Sequence, residues 1–303
     1  MSGPEKPAAK SEASRARRAK RLVPRLFVGL LVLGMCAGGV WALWQRVRKD
    51  VYAAPRHVVQ AEAVSATPPP AWIRTDIKAE VVRDIFLAGP VSDLDEDLGE
   101  RFYEAFAAHP WVAKVVRVTK RSPAVVQVDL VYRRPVLMVR VHDGLLPVDG
   151  EGVQLLTADF SPLEAGRYPR LAEIGSVTPP PAGTRWADSR VVAAARLAAV
   201  LIDTWQELGL HQIGLAAESA HVQASTLDFD LLTKAGTRVH WGPAPGPGAD
   251  EQAAAADKLS RLRHYAAEHG TLDGARGPQD LDLRDPHGVR AVPRTAAVPK
   301  TEG

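Results

Sequence analysis

Residues 124–132 read AVVQVDLVY, and residues 112–118 before them read VAKVVRV. From Val126 to Tyr132 every second residue of the first stretch is apolar or aromatic, which is the pattern of a strand with one buried face. Arg121-Ser-Pro123 stands between the two stretches and favours a turn. The sequence therefore predicts a β-hairpin at residues 112–132.

Two segments before this hairpin have apolar residues at helical spacing. Residues 73–86 place Ile77, Val81 and Ile85 on one face, and residues 95–108 repeat that spacing. A weakly alternating stretch at residues 56–65 predicts one further strand. The order strand, helix, helix, strand, strand predicts a small α+β domain at residues 54–134, with two helices on one side of a three-stranded sheet.

Short alternating stretches continue through residues 135–293, which we predict to form a second domain. Asp188 is a good N-cap for an alanine-rich helix, and residues 251–268 form a second helical pattern that ends before Gly270. The other stretches predict strands, the last of them at residues 281–284 and 289–292. The expected fold class is α+β, with a mostly antiparallel β domain carrying two helices. We expect residues 294–303 to be a disordered tail.

The N-terminal region combines a basic tail with an apolar segment. Residues 26–44 read LFVGLLVLGMCAGGVWALW, without a charge, and as a helix they would measure roughly 28 Å, close to the thickness of a bilayer core. This predicts a single N-terminal transmembrane helix. Residues 1–25 hold eight basic and two acidic residues, so the excess of positive charge predicts a cytoplasmic tail and an extracytoplasmic body.

Composition limits the classes of function. The chain has 303 residues, 46% hydrophobic and 24% charged, which suits two modest globular domains. Its formal net charge of +3 comes from the basic tail, so the body does not have the charge of a nucleic-acid-binding protein. The only cysteine, Cys36, excludes an internal disulfide and any site built from several cysteines.

The sequence contains no catalytic or metal-binding motif. His264, Glu268 and His269 resemble a zinc helix, but three residues separate the first histidine from the glutamate where that motif needs two. The glycine-rich stretch at residues 242–248 includes three prolines, which lack the amide donors of a phosphate loop. The aspartates within residues 280–285 lack the glycine and glutamate of a calcium loop. We therefore expect no enzyme activity, metal or cofactor.

Four features along residues 20–293 resemble the FtsQ/DivIB family of bacterial cell-division proteins. They are the basic tail with its apolar segment; His109-Pro-Trp-Val112 with Ser122-Pro123; Tyr132-Arg-Arg-Pro-Val136 with Leu146-Pro-Val-Asp-Gly-Glu-Gly152; and Gly236-Thr-Arg-Val-His-Trp-Gly242 with Lys258-Leu259 and Leu281-Asp-Leu-Arg284. Two positions depart from the family pattern. Thr67-Pro-Pro-Pro70 replaces a Gly-Asn type turn, and Asp285 replaces an aromatic residue.

The resemblance implies a POTRA-like domain of order βααββ at residues 54–134, followed by the β domain. It implies a non-enzymatic, single-pass scaffold in the cytoplasmic (inner) membrane, at the division septum. Such a scaffold binds other division proteins outside the cytoplasm and helps control septal peptidoglycan synthesis. Its last strands bind an FtsB/FtsL-like pair by adding a strand to the sheet edge. The residues that match this edge are Leu281, Asp282, Leu283, Arg284, Gly288 and Val289.

Two other functions remain open from the sequence. A POTRA-containing component of envelope assembly or secretion would also be non-catalytic, and a membrane-anchored hydrolase is the enzymatic alternative. The pattern also leaves open which backbone groups of the last strand face the free edge. Leu281 and Leu283 share one direction of N–H, while Asp282 and Arg284 share the other.

Overall fold

The computed structural model describes residues 31–48, 56–142, 144–172, 178–216, 227–275, 277–285 and 288–293. From residue 56 onward, the described chain forms one sheet of three strands and one of eight, each with its own buried core. The predicted tails at residues 1–25 and 294–303 lie outside the described residues.

Residues 31–48 are helical (α1) and correct the prediction of a transmembrane helix over residues 26–44. Among the helices that the structure describes, none is both long and apolar enough to cross a membrane. Residues 26–30, the first part of the predicted span, lie outside the described residues. The helix continues with the polar residues Gln45 and Arg46. The finding that no helix of the described residues could span a membrane contradicts the prediction.

The first domain has the element order strand, helix, helix, strand, strand. The apolar faces of its two helices pack on a sheet of order β1-β3-β2. In this sheet β1 is parallel and β2 antiparallel to the central strand β3. The elements are β1 (Val64–Ala66), α2 (Ile77–Leu87), α3 (Leu98–Ala107), β2 (Val112–Arg121) and β3 (Val125–Tyr132).

The core of this domain follows from the alternation in β3. Val126 and Val128 are fully buried, and they pack with Phe102 and Phe106 of α3. Trp111, in the turn between α3 and β2, is also fully buried. The hairpin therefore turns one apolar face towards the two helices, as its residue pattern predicts.

The second domain contains the eight-stranded sheet, of order β11-β10-β9-β8-β7-β6-β4-β5. Its strands are β4 (Pro135–Val141), β5 (Gly144–Asp149), β6 (Arg170–Leu171), β7 (Leu210–Leu215), β8 (Asp228–Thr233), β9 (Arg238–Pro243), β10 (Gln279–Asp282) and β11 (Arg290–Pro293). The pairs β4–β6, β6–β7 and β9–β10 are parallel and the other four are antiparallel. The expected mostly antiparallel domain is thus corrected to a mixed sheet, because chain crossovers through helices bring parallel strands together.

Three helices accompany this sheet rather than the two predicted: α4 (Pro162–Ala165), α5 (Ser189–Leu201) and α6 (Ala249–His269). Asp188 caps α5 as predicted, since its side chain accepts a hydrogen bond from the Arg190 N–H. Gly270 follows α6 with φ of +76°, a left-handed conformation that glycine adopts without strain. Helices α5 and α6 cover one face of the sheet, which buries the second core.

A buried carboxylate joins the two domains. Asp159 lies in the second domain's segment after β5, where it is 3% exposed, and Trp111 Nε1 donates to its Oδ2 at 2.7 Å. Its Oδ1 accepts from the N–H groups of Arg74 (2.8 Å) and Thr75 (2.7 Å). Nearby Leu155 belongs to the core of the first domain. This segment therefore packs against the first domain.

Candidate partner-binding edge

The sequence assigns its candidate residues to the last strand, and the structure separates them into two groups. Leu281 and Asp282 belong to β10, which pairs with β9 on one side and β11 on the other. Leu283 follows β10 and is fully buried, like Leu281. Gly288 and Val289 directly precede β11. Strand β11 is therefore one of the two outermost strands of the described sheet, and β5 is the other.

Hydrogen bonds to β9 determine which backbone groups of β11 are free. The Leu283 N–H donates to the His240 carbonyl oxygen at 3.1 Å. The backbone N–H and carbonyl groups of the odd-numbered residues from 279 to 283 therefore point towards β9. Because the direction of the backbone N–H and carbonyl groups alternates along a strand, those of Asp280 and Asp282 point towards β11. Their cross-strand partners are Val292 and Arg290. The backbone N–H and carbonyl groups of these two residues therefore point towards β10.

The groups left pointing outward belong to the other residues of β11. They are the N–H and carbonyl of Ala291 and the carbonyl of Pro293. Pro293 has no N–H to donate, and at this position the missing group would have pointed away from β10. The structure thus answers a question that the sequence leaves open, namely which backbone groups form the free edge.

Side chains on β8 to β11 form two rows across the sheet. One row contains Leu231, Val239, Leu281 and Ala291, of which the first three are fully buried against the helices. The second row, on the opposite face, contains Asp230, His240, Asp282 and Arg290. Both rows end at β11, one on a small apolar side chain and the other on a guanidinium.

The second row is charged and largely paired. Asp230 Oδ1 lies 2.8 Å from His240 Nδ1, and the Asp230 side chain is only 9% exposed. Arg284 donates to both oxygens of Asp282, from Nε at 3.0 Å and from Nη2 at 2.7 Å. This ion pair lowers the pKa of Asp282 to about 2. Arg290, which ends the row, makes no ion pair among the described residues.

Arg261 of α6 fixes the connection between β10 and β11. Its guanidinium donates to the carbonyl oxygens of Leu283 at 3.4 Å, of Gly288 at 3.2 Å and of Asp285. These acceptors lie in the chain between β10 and β11, on both sides of residues 286–287. Helix α6 therefore holds the connection to β11 through the Arg261 side chain. No local sequence motif predicts this contact.

The residues that resemble a zinc helix lie on the exposed face of α6. His264 and Glu268 make an exposed ion pair one helical turn apart, at 3.2 Å. In the part of the chain that the structure describes, no three His, Cys, Asp or Glu side chains are grouped so as to hold a metal. A cavity of about 320 Å³ at the domain junction is lined by aromatic residues and by Arg134, which already pairs with Asp203.

Comparison of the chain with models of known protein families and with curated proteins finds no match.

Proposed function

We propose that this protein is a non-enzymatic scaffold that binds a partner protein by adding the partner's strand to the free edge of β11. The observation that supports this most is the outward-facing backbone of Ala291, which pairs with no strand of the described sheet. All four residues of β11 are exposed within the described part of the chain, which leaves this edge accessible to an added strand. Edge strands of this kind pair readily with another chain.

The resemblance to FtsQ/DivIB proteins supplies the identity of the partner in this proposal. The partner is an FtsB/FtsL-like pair of division proteins, and the complex acts outside the cytoplasm at the division septum, where it helps control peptidoglycan synthesis. This location is tested with a fluorescent fusion, which should gather at the septum. It is tested further with a reporter that works only in the cytoplasm, which should be silent when fused after Gly303.

The free edge of β11 is short, which limits the contribution of its backbone hydrogen bonds to the binding free energy. Three outward groups on Ala291 and Pro293 would form three hydrogen bonds, worth about 1 kcal/mol each. A micromolar complex needs about 8 kcal/mol. Side-chain contacts next to β11 must therefore provide most of the affinity.

The test of strand addition removes one outward N–H. Ala291→Pro deletes the N–H that points away from β10 and leaves the β10–β11 hydrogen bonds in place. We expect the variant to fold with an unchanged thermal midpoint and to lose co-purification with the FtsB/FtsL-like pair, because the proline ring also blocks the close approach of a partner strand. The matched control, Ala291→Val, keeps the N–H and should retain the partner. A folded Ala291→Pro variant that still co-purifies with the pair would contradict the proposal.

A further inference from the structure

The charged row identifies a feature of the partner strand, and this inference rests on the proposed strand addition. Along the row the groups are a carboxylate, an imidazole, a second carboxylate and the Arg290 guanidinium. The first three are held in pairs, because Asp230 contacts His240 and Asp282 is taken by Arg284. Arg290 is left as an exposed cation at the open edge, with no ion pair among the described residues.

An added strand places one residue directly opposite Arg290. Side chains opposite each other on neighbouring strands lie about 5 Å apart, and opposite charges there are favourable while like charges are unfavourable. The residue two positions along the added strand lies opposite Val292, whose side chain is 48% exposed on the same face as Arg290. An apolar residue at that place would cover the exposed valine.

We infer that the partner segment carries an acidic residue opposite Arg290 and an apolar residue two positions away, opposite Val292. Arg290 and Val292 together determine which sequence binds, since the backbone groups of Ala291 accept any sequence and fix no register. Arg290 sets the register by its charge, and Val292 reinforces it by burial of apolar surface.

A second copy of this chain fits the same edge less well. In an antiparallel pairing of two β11 strands centred on Ala291, Arg290 would lie opposite Val292 of the other copy. The guanidinium would then find no counter-charge, and the exposed valine would be covered by an arginine. The row of charges therefore favours an acidic partner segment over self-association.

The test uses three capped heptapeptides and the full-length protein labelled with ¹⁵N. The acidic peptide is Thr-Val-Thr-Glu-Thr-Val-Thr, in which a valine stands two positions from the glutamate on either side. A valine therefore lies opposite Val292 whether the peptide binds parallel or antiparallel to β11. The other two peptides carry lysine or glutamine at the central position. The dissociation constant is measured from the chemical shift of the Ala291 amide during each titration.

We expect the acidic peptide to bind about fivefold more tightly than the lysine peptide, with the glutamine peptide between them. The Arg290→Glu variant should reverse this order. The control Arg263→Glu makes the same charge change on an exposed position of α6 and should keep the order of the wild-type protein. Raised salt should narrow the difference between the charged peptides.

The contrary results separate this inference from the proposed function. If all three peptides shift the Ala291 amide with equal affinity, strand addition stands and the acidic specificity is wrong. If no peptide shifts that amide, the inference is wrong, while strand addition by the FtsB/FtsL-like pair is judged separately by the Ala291→Pro variant. An Ala291 shift that depends only on the protein's own concentration would show self-pairing and would overturn the inference.

Discussion

Asp282 shows how a single side chain stabilises the region next to the free edge. Its carboxylate accepts hydrogen bonds from the Arg284 guanidinium and also from the Arg284 backbone N–H, at 2.9 Å. These bonds favour the charged form, which lowers the pKa in the folded protein to about 2 from its ordinary value of 3.8. A pKa that is lower in the folded than in the unfolded state makes folding more favourable wherever the carboxylate is ionised.

This leads to a prediction about pH. The contribution of Asp282 to the free energy of unfolding should be fully present above about pH 4 and should disappear as the pH falls towards 2. We expect Asp282→Asn to be less stable than the wild-type protein at pH 5 in urea titrations, with the difference shrinking as the pH falls from 4 to 2.5. Asp257→Asn, an exposed control on α6, should show no such trend. A difference that stays constant with pH would contradict the assignment.

Single residues also show which features of the site depend on local sequence and which depend on distant strands. The alternation of Leu281 and Asp282 predicts a strand with one buried side, and Leu281 is fully buried in the structure. The pattern carries no information on which strand becomes the neighbour, since pairing with β9 and β11 is a long-range event. The free edge therefore lies at Ala291, within a predicted strand piece but outside the predicted set of binding residues.

At the scale of secondary structure elements, α6 and the β10–β11 hairpin act as one unit through Arg261. Its guanidinium donates to three carbonyl oxygens between the two strands, at Leu283, Asp285 and Gly288. Hydrogen bonds from a charged donor are stronger than neutral ones. Loss of this contact should loosen the edge strand without disturbing the core.

We predict that Arg261→Ala speeds hydrogen exchange at the inward-facing amides of Arg290 and Val292 by about tenfold, which corresponds to about 1.4 kcal/mol. Exchange at Phe229, in the middle of the sheet, should stay the same. The matched control is Arg263→Ala, on an exposed position of the same helix. Equal exchange of Val292 in both variants would mean that Arg261 does not hold the edge.

Elements with a strong local pattern were predictable, and elements defined by their neighbours were not. Helix α6 was expected at residues 251–268 and spans Ala249–His269, because spacing and the glycine after it are local signals. Strand β6 has only two residues, Arg170–Leu171, and exists because β4 and β7 pair with it on either side. That pairing makes the sheet mixed, and nothing in the two residues themselves indicates it.

At the scale of the whole molecule, Asp159 ties the two domains together. A sequence boundary near residue 134 predicts two separate units, yet Leu155 and Phe160 pack against the core of the first domain. The Phe160 ring also lies 6.0 Å from the ring of Trp111. The local pattern does not reveal this return of the chain, because the donors to Asp159 are more than 40 residues away.

The junction predicts a measurable loss of stability. Asp159→Asn replaces one accepting oxygen by an NH₂ group, which leaves at least one buried donor without a partner. We expect the free energy of unfolding in urea to fall by about 2 kcal/mol. The exposed control Asp257→Asn should change it by less than about 0.5 kcal/mol. Equal stability of the two variants would contradict a structural role for the Asp159 carboxylate.

The sheet places the free edge far from the first domain. The first domain is followed directly by β4, and six strand spacings of about 4.8 Å separate β4 from β11, or about 29 Å. A partner strand on β11 would therefore leave the surfaces of the first domain accessible to other proteins. This separation suits a scaffold with more than one partner.

The most direct test of strand addition is the hydrogen exchange rate of the Ala291 amide, with and without the bound FtsB/FtsL-like pair. The outward N–H of Ala291 gains an acceptor only if a strand is added, whereas the inward N–H of Val292 is already paired with β10. We predict that binding slows exchange at Ala291 by at least about tenfold and leaves Val292 nearly unchanged. Unchanged exchange at Ala291 in a complex shown to be formed would contradict the account.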